Sequence, residues 1–178
     1  MSWTREFDEA YAVPSAIAAS GLLDQSWHND VCPSFGPETE LTDPESGDVH
    51  DLRLWVEHPD EEMREIGGAR FAVTYSPWSA AAVPGIPRGD EGDEIYSGDD
   101  LNAALRAFLV TLERIRAEIA RRHEVEAVAD RIRREFGHMR AEFVTDPGGW
   151  LAYSGRFSDV DDEVAAEATS RVLADWGV

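Results

Sequence analysis

The chain has 178 residues, and its 16 basic side chains are all arginine, set against 36 carboxylates for a formal net charge of -20. Without lysine it can have no Schiff-base lysine, no phosphate-loop lysine and no lysine general base. A field of this sign repels nucleic acid, one cysteine cannot make an internal disulfide, and no apolar run approaches the ~18 residues of a membrane span.

The hydrophobic fraction of 43% and six tryptophans argue for a packed core, here expected as one domain over 1–178. Residues 1–6 carry no signal-peptide pattern, so the expected compartment is the cytoplasm.

Phe7, Ala10 and Tyr11 recur at helical spacing, and Pro14 opens a second short helix over 14–20 that Gly21 ends. Residues 27–35 read as a short strand or extended loop closed by Pro33. A turn-rich acidic stretch follows at 36–51, with Pro37, Pro44 and Gly47. Period-two alternation predicts strands at 52–58 (Leu52, Leu54 and Val56 inward) and at 70–76 (Phe71, Val73 and Tyr75 inward). The segment 77–100 is acidic and rich in proline, and is expected to be irregular.

Asp100 is a good cap for the longest element, a helix expected over about 101–136. Leu101, Leu105, Phe108, Leu112, Ile115 and Ile119 step by four and three, which suits either a core-facing stripe or the seam of a homodimer. The pattern then shifts phase at 121–124 and resumes at Val125, Val128, Ile132 and Phe136. That predicts a rotated second half or a bend. Asp146-Pro147-Gly148-Gly149 carries turn chemistry between 142–145 and 150–154, so a second β-hairpin is expected. Ser158 and Asp161 resemble a capping box opening a C-terminal helix over 159–176. The predicted fold is α+β: a small antiparallel sheet of two hairpins, with one long helix and a C-terminal helix packed on one face.

Charge is unevenly spread. Residues 1–100 hold 22 carboxylates and 5 arginines, residues 101–145 hold 7 and 9, and residues 146–178 hold 7 and 2. Surplus acid of this kind has two physical readings. It can present carboxylates where a nucleic acid presents phosphates, or it can keep a protein hydrated in a salty cytoplasm.

Few residue groupings suggest chemistry. His28, Asp30 and Cys32 share a face if 27–35 is a strand, which allows a thiol- or metal-dependent centre, but three ligands lack a fourth. Asp30 beside Cys32 would raise the thiol pKa instead of activating it. The acids between 90 and 100 fail the calcium-loop template. No catalytic residue, metal or cofactor is assigned on this basis.

The leading expectation is a non-enzymatic module whose acidic patch engages a basic nucleic-acid-binding protein. The candidate contacts are Asp43, Glu45, Asp48, Glu61, Glu62, Asp90, Glu91, Asp93 and Glu94. In composition alone the chain resembles nucleic-acid-mimicking inhibitors, such as the anti-restriction and anti-CRISPR proteins of phages and plasmids, and that resemblance carries over no residue. The alternatives are a halophile assembly protein dimerising through the 101–119 helix, and the thiol or metal enzyme.

Overall fold

Half-buried and buried side chains alternate from Val49 to Val56, and both this stretch and the one starting at Phe71 form strands. The computed structural model describes residues 7, 11–27, 30–43, 46–65, 68–78 and 92–178, the side chains of Trp78 and Tyr153 excepted. The sheet is antiparallel, with β1 (Leu23–Asp24), β2 (Ser34–Gly36), β3 (Val49–Val56), β4 (Phe71–Trp78) and β5 (Asp93–Gly98) side by side in chain order.

Register explains which face is buried. Leu54 opposes Val73 and Phe35, and Val56 opposes Phe71, so Phe35, Leu52, Leu54, Val56, Phe71 and Val73 line one buried face. The other face carries Arg53, Trp55 and Thr74. Trp55 Nε1 donates to Thr74 Oγ1 at 2.9 Å, and the Arg53 guanidinium lies 5.7 Å from the Trp55 ring centre.

Strand β5 was expected to be irregular chain. Its pairing to β4 shifts register between Val73 and Thr74, leaving Ile95 as an extra residue. That bulge breaks the alternation by which a strand is recognised.

The chain divides into two compact units, Met1–Arg116 and Ala117–Val178. The first holds the sheet and α1 (Ser15–Ala19), which follows Pro14 directly and is succeeded by Gly21 at φ 80°. The predicted N-terminal helix around Phe7, Ala10 and Tyr11 lies largely outside the described residues.

Helix α2 (Leu101–Phe136) is one uninterrupted helix, not two. The phase shift has another cause. Ala104, Phe108, Leu112 and Ile115 are buried in the first unit, whereas Val125, Val128, Ala129, Ile132 and Phe136 belong to the core of the second. One helix thus serves two cores, and its apolar stripe changes phase where it passes from one to the other. The six-residue seam is therefore largely a core stripe. Phe108, Leu112 and Ile115 are buried and Leu101, Leu105 and Ile119 half-buried.

The expected second hairpin is replaced by two helices, α3 (Arg140–Thr145) and α4 (Pro147–Ser154). Proline then glycine suits a turn, but Asp-Pro also suits a helix start, with the acid as cap and proline at the first position, where its missing N–H is harmless. The latter holds: Asp146 Oδ1 accepts from the Gly149 amide at 3.0 Å. Gly155, at φ 62°, ends α4 in the left-handed conformation that glycine adopts without penalty.

Helix α5 (Asp162–Asp175) is capped by Asp161, not Ser158; its Oδ1 accepts from the amides of Glu163 and Val164 at 2.9 and 3.3 Å. Phe143 of α3 completes the second core, its ring centre 4.9 Å from Phe136 and 5.8 Å from Trp176.

Candidate functional site

Strand pairing decides which acidic residues come together. Val56, Phe71 and Gly98 are opposed in register, so the chain leaving β3, entering β4 and leaving β5 meets at one end of the sheet. Six exposed carboxylates occupy that end: Asp60, Glu61, Glu62, Glu65, Asp99 and Asp100.

Three of the six have local duties. Asp60 caps the 3₁₀ turn Glu61–Met63 by accepting from the Glu62 amide at 3.1 Å. Asp100 caps α2, accepting from the amides of Asn102 and Ala103 at 2.9 and 3.2 Å. Asp99 accepts from the Arg70 amide at 2.8 Å and from Arg64 at 3.1 Å.

One rim acid, Asp99, is paired with a cation, Arg64. Arg64 is folded inward, its side chain only 6% exposed, and spends most of its donors on the carbonyls of His58, Pro59 and Gly68. Glu61, Glu62 and Glu65 hold no ion pair among the described residues and point their charge at solvent.

The nine acids proposed from sequence do not form one patch. Glu61 and Glu62 belong to the end just described. Asp93 and Glu94 are exposed on β5, but their register with Tyr75 and Thr74 places them at the other end of that strand. Five residues of strand, about 17 Å, separate Asp93 from Gly98.

Asp48 is half-buried, in the turn leading to β3. Asp43 is a correction: only 1% exposed, it accepts from the Ser46 amide at 3.4 Å while its backbone closes the turn with Gly47 and Asp48, so it organises a loop and cannot meet a partner. Glu45, Asp90 and Glu91 lie outside the described residues. Sequence reasoning missed Asp60 and Glu65, chain neighbours of Glu61 and Glu62, and also Asp99 and Asp100, which only the β4–β5 register brings to them.

The proposed thiol centre is not assembled as imagined. Cys32 is fully buried, and burial first, then the nearby Glu57 carboxylate, push its pKa far above the ordinary thiol range. The thiol stays protonated and out of reach, the opposite of a nucleophile's setting. Burial and Glu57 likewise raise the Tyr11 phenol, whose hydroxyl donates to the Val31 carbonyl at 3.1 Å.

Asp30 is occupied elsewhere. It accepts from the Trp27 amide at 2.8 Å and from Ser34 Oγ at 3.3 Å, and lies 3.9 Å from Arg53. His28 lies outside the described residues. Among the described residues no cluster of three or more His, Cys, Asp or Glu side chains could hold a metal ion.

The second unit contrasts with the first. Most of its arginines are turned on its own acids: Arg133 meets Glu126, Asp130 and Asp175, Arg171 meets Glu126 at 2.8 Å, Arg131 meets Asp159 at 3.6 Å, and Arg156 meets Glu135. An open groove of about 580 Å³ lies between α4 and α5, floored by Leu151, Phe157, Val160 and Ala165, with Asp162 its one charged lining residue. Ser158 and Thr169 are its other polar lining residues.

Among the described residues no helix is long and apolar enough to cross a membrane. Comparison with protein-family models, with curated proteins and with solved structures finds no match.

Proposed function

We propose that this protein is a non-enzymatic acidic binding module that docks on a basic surface of a nucleic-acid-binding protein and occupies it in place of phosphates, in the manner of an inhibitor. The carrying observation is the rim of six exposed carboxylates at one end of the sheet, where the Arg64 guanidinium turns inward and braces the backbone.

Several physical points support this reading. Residues 1–116 hold 23 of the 36 carboxylates and 8 of the 16 arginines, so the surplus belongs mainly to the sheet-bearing unit. Carboxylates fixed by capping and by strand register are preorganised, which limits the ordering cost of binding. A negative field steers association with a cationic groove, and that steering weakens as salt rises.

The test is capture from a lysate with the full chain immobilised, at low and at high salt, beside a variant carrying Glu61→Gln, Glu62→Gln and Glu65→Gln. These exposed side chains make no internal ion pair, so the variant should fold normally. Exposed charge pairs contribute ~0–1 kcal/mol each, so losing three should weaken capture of a basic nucleic-acid-binding partner roughly tenfold. Capture of no such partner at low salt, or undiminished capture by the triple variant, rules the proposal out.

A further inference from the structure

The first half of α2 buries one side and leaves the other with an unusual composition. Arg106, Leu109, Val110 and Glu113 are all exposed there, at successive spacings that keep them on one flank of a helix. Leu109 is 41% and Val110 61% exposed, large values for apolar side chains.

Arg106 and Glu113 are seven residues apart, about 10.5 Å along the axis. Neither has an ion pair among the described residues. A basic and an acidic side chain thus flank an apolar pair symmetrically, with no internal use.

We infer that this flank is a homodimer interface in which α2 pairs antiparallel with α2 of a second copy. A two-fold axis between residues 109 and 110 brings the Leu109 and Val110 side chains of each copy against those of the other. The same register sets Arg106 against Glu113, and symmetry makes that ion pair twice. Self-complementarity of one patch is the requirement for a two-fold interface. Ala103 lies one turn beyond Arg106 on the same flank, and its small side chain allows close helix approach.

Charge selects the occupant. Residues 101–116 carry Arg106, Arg114 and Arg116 against Glu113 alone, net +2 in a chain of net -20. Two copies repel each other least where their helices carry this local surplus of arginine. The interface uses the flank of α2 opposite its buried stripe, and it stands or falls independently of what the acidic rim binds.

Sedimentation equilibrium on the full chain, from micromolar to near-millimolar concentration, tests this. The weight-average mass should rise from 19.8 kDa toward twice that value. Arg106→Glu alone and Glu113→Arg alone each place like charges in contact twice, and should weaken association roughly tenfold or more. The double variant restores opposite charges and should recover wild-type association. Circular dichroism confirms that the single variants remain folded. A chain that stays at 19.8 kDa throughout overturns the inference, as do single variants that associate normally or a double variant that fails to recover.

Discussion

Replacing Gly148 by alanine separates the two structures that Asp146-Pro147-Gly148-Gly149 could adopt, by the sign of its effect. In a type II turn with proline at its second position, residue 148 would need positive φ, and alanine there would cost about 1 kcal/mol or more. In the observed helix α4, Gly148 is the second residue, its φ is not in the left-handed region, and an added Cβ would meet nothing within 4 Å. Alanine then gains helix propensity and restricts the unfolded chain, stabilising by roughly 0.4–1 kcal/mol. Gly149 is the control. A Cβ there would fall 2.1 Å from Asp146 Oδ2 and disturb the cap that Asp146 provides, so Gly149→Ala should destabilise. Urea unfolding followed by tryptophan fluorescence, to which Trp150 contributes, gives both values. A loss of stability in Gly148→Ala refutes the helical start at Pro147.

The remaining predictions concern buried and paired charges. Cys32 should resist alkylation in the native protein at mildly alkaline pH and react promptly in denaturant, because burial holds the thiol protonated; rapid native labelling contradicts this. The folded thiol keeps its proton where the unfolded chain releases it, near pH ~8.5, so stability should fall as pH rises above that value, and the slope should shrink in Cys32→Ala. Glu126 behaves in the opposite sense. Hydrogen bonds from Arg171 and Arg133 hold its carboxyl below the ordinary range, so its contribution is present above pH ~4.3 and is lost as pH falls through the lowered folded value. Acid titration of the wild type and Glu126→Gln should diverge only in that window, and equal acid sensitivity counts against the pairing.

How much could be read in advance depended on whether a pattern was local. The alternation at Leu52, Leu54 and Val56, and at Phe71 and Val73, is decided by near neighbours and gave the central strand pair. The four-and-three stepping from Leu101 gave the long helix. Its phase shift was visible too, but whether the backbone bends or the environment changes cannot be told from spacing.

Strand β5 escaped because its apolar content is slight and a bulge at Ile95 interrupts its rhythm. The Asp-Pro start of α4 carries two meanings, and the Phe136–Phe143 contact that accompanies the helical one is invisible before folding. The acidic rim was half legible: Glu61 and Glu62 stood out, whereas Asp99 and Asp100 join them only through the opposition of Gly98 and Phe71. Asp43 looked like its exposed neighbours because burial of a turn-closing carboxylate leaves little trace in composition.

The inward fold of Arg64 gives the absence of lysine a concrete meaning. Its Nε donates to the His58 carbonyl at 3.0 Å, one terminal nitrogen reaches both Gly68 and Asp99, and the other reaches Pro59 at 3.3 Å. Four acceptors in three directions fit a flat fork with fixed prongs, whereas a single ammonium at the tip of a floppy tether could satisfy only some of them. A lysine in place of Arg64 would not be a neutral exchange, for the loop between two neighbouring strands would lose its clasp.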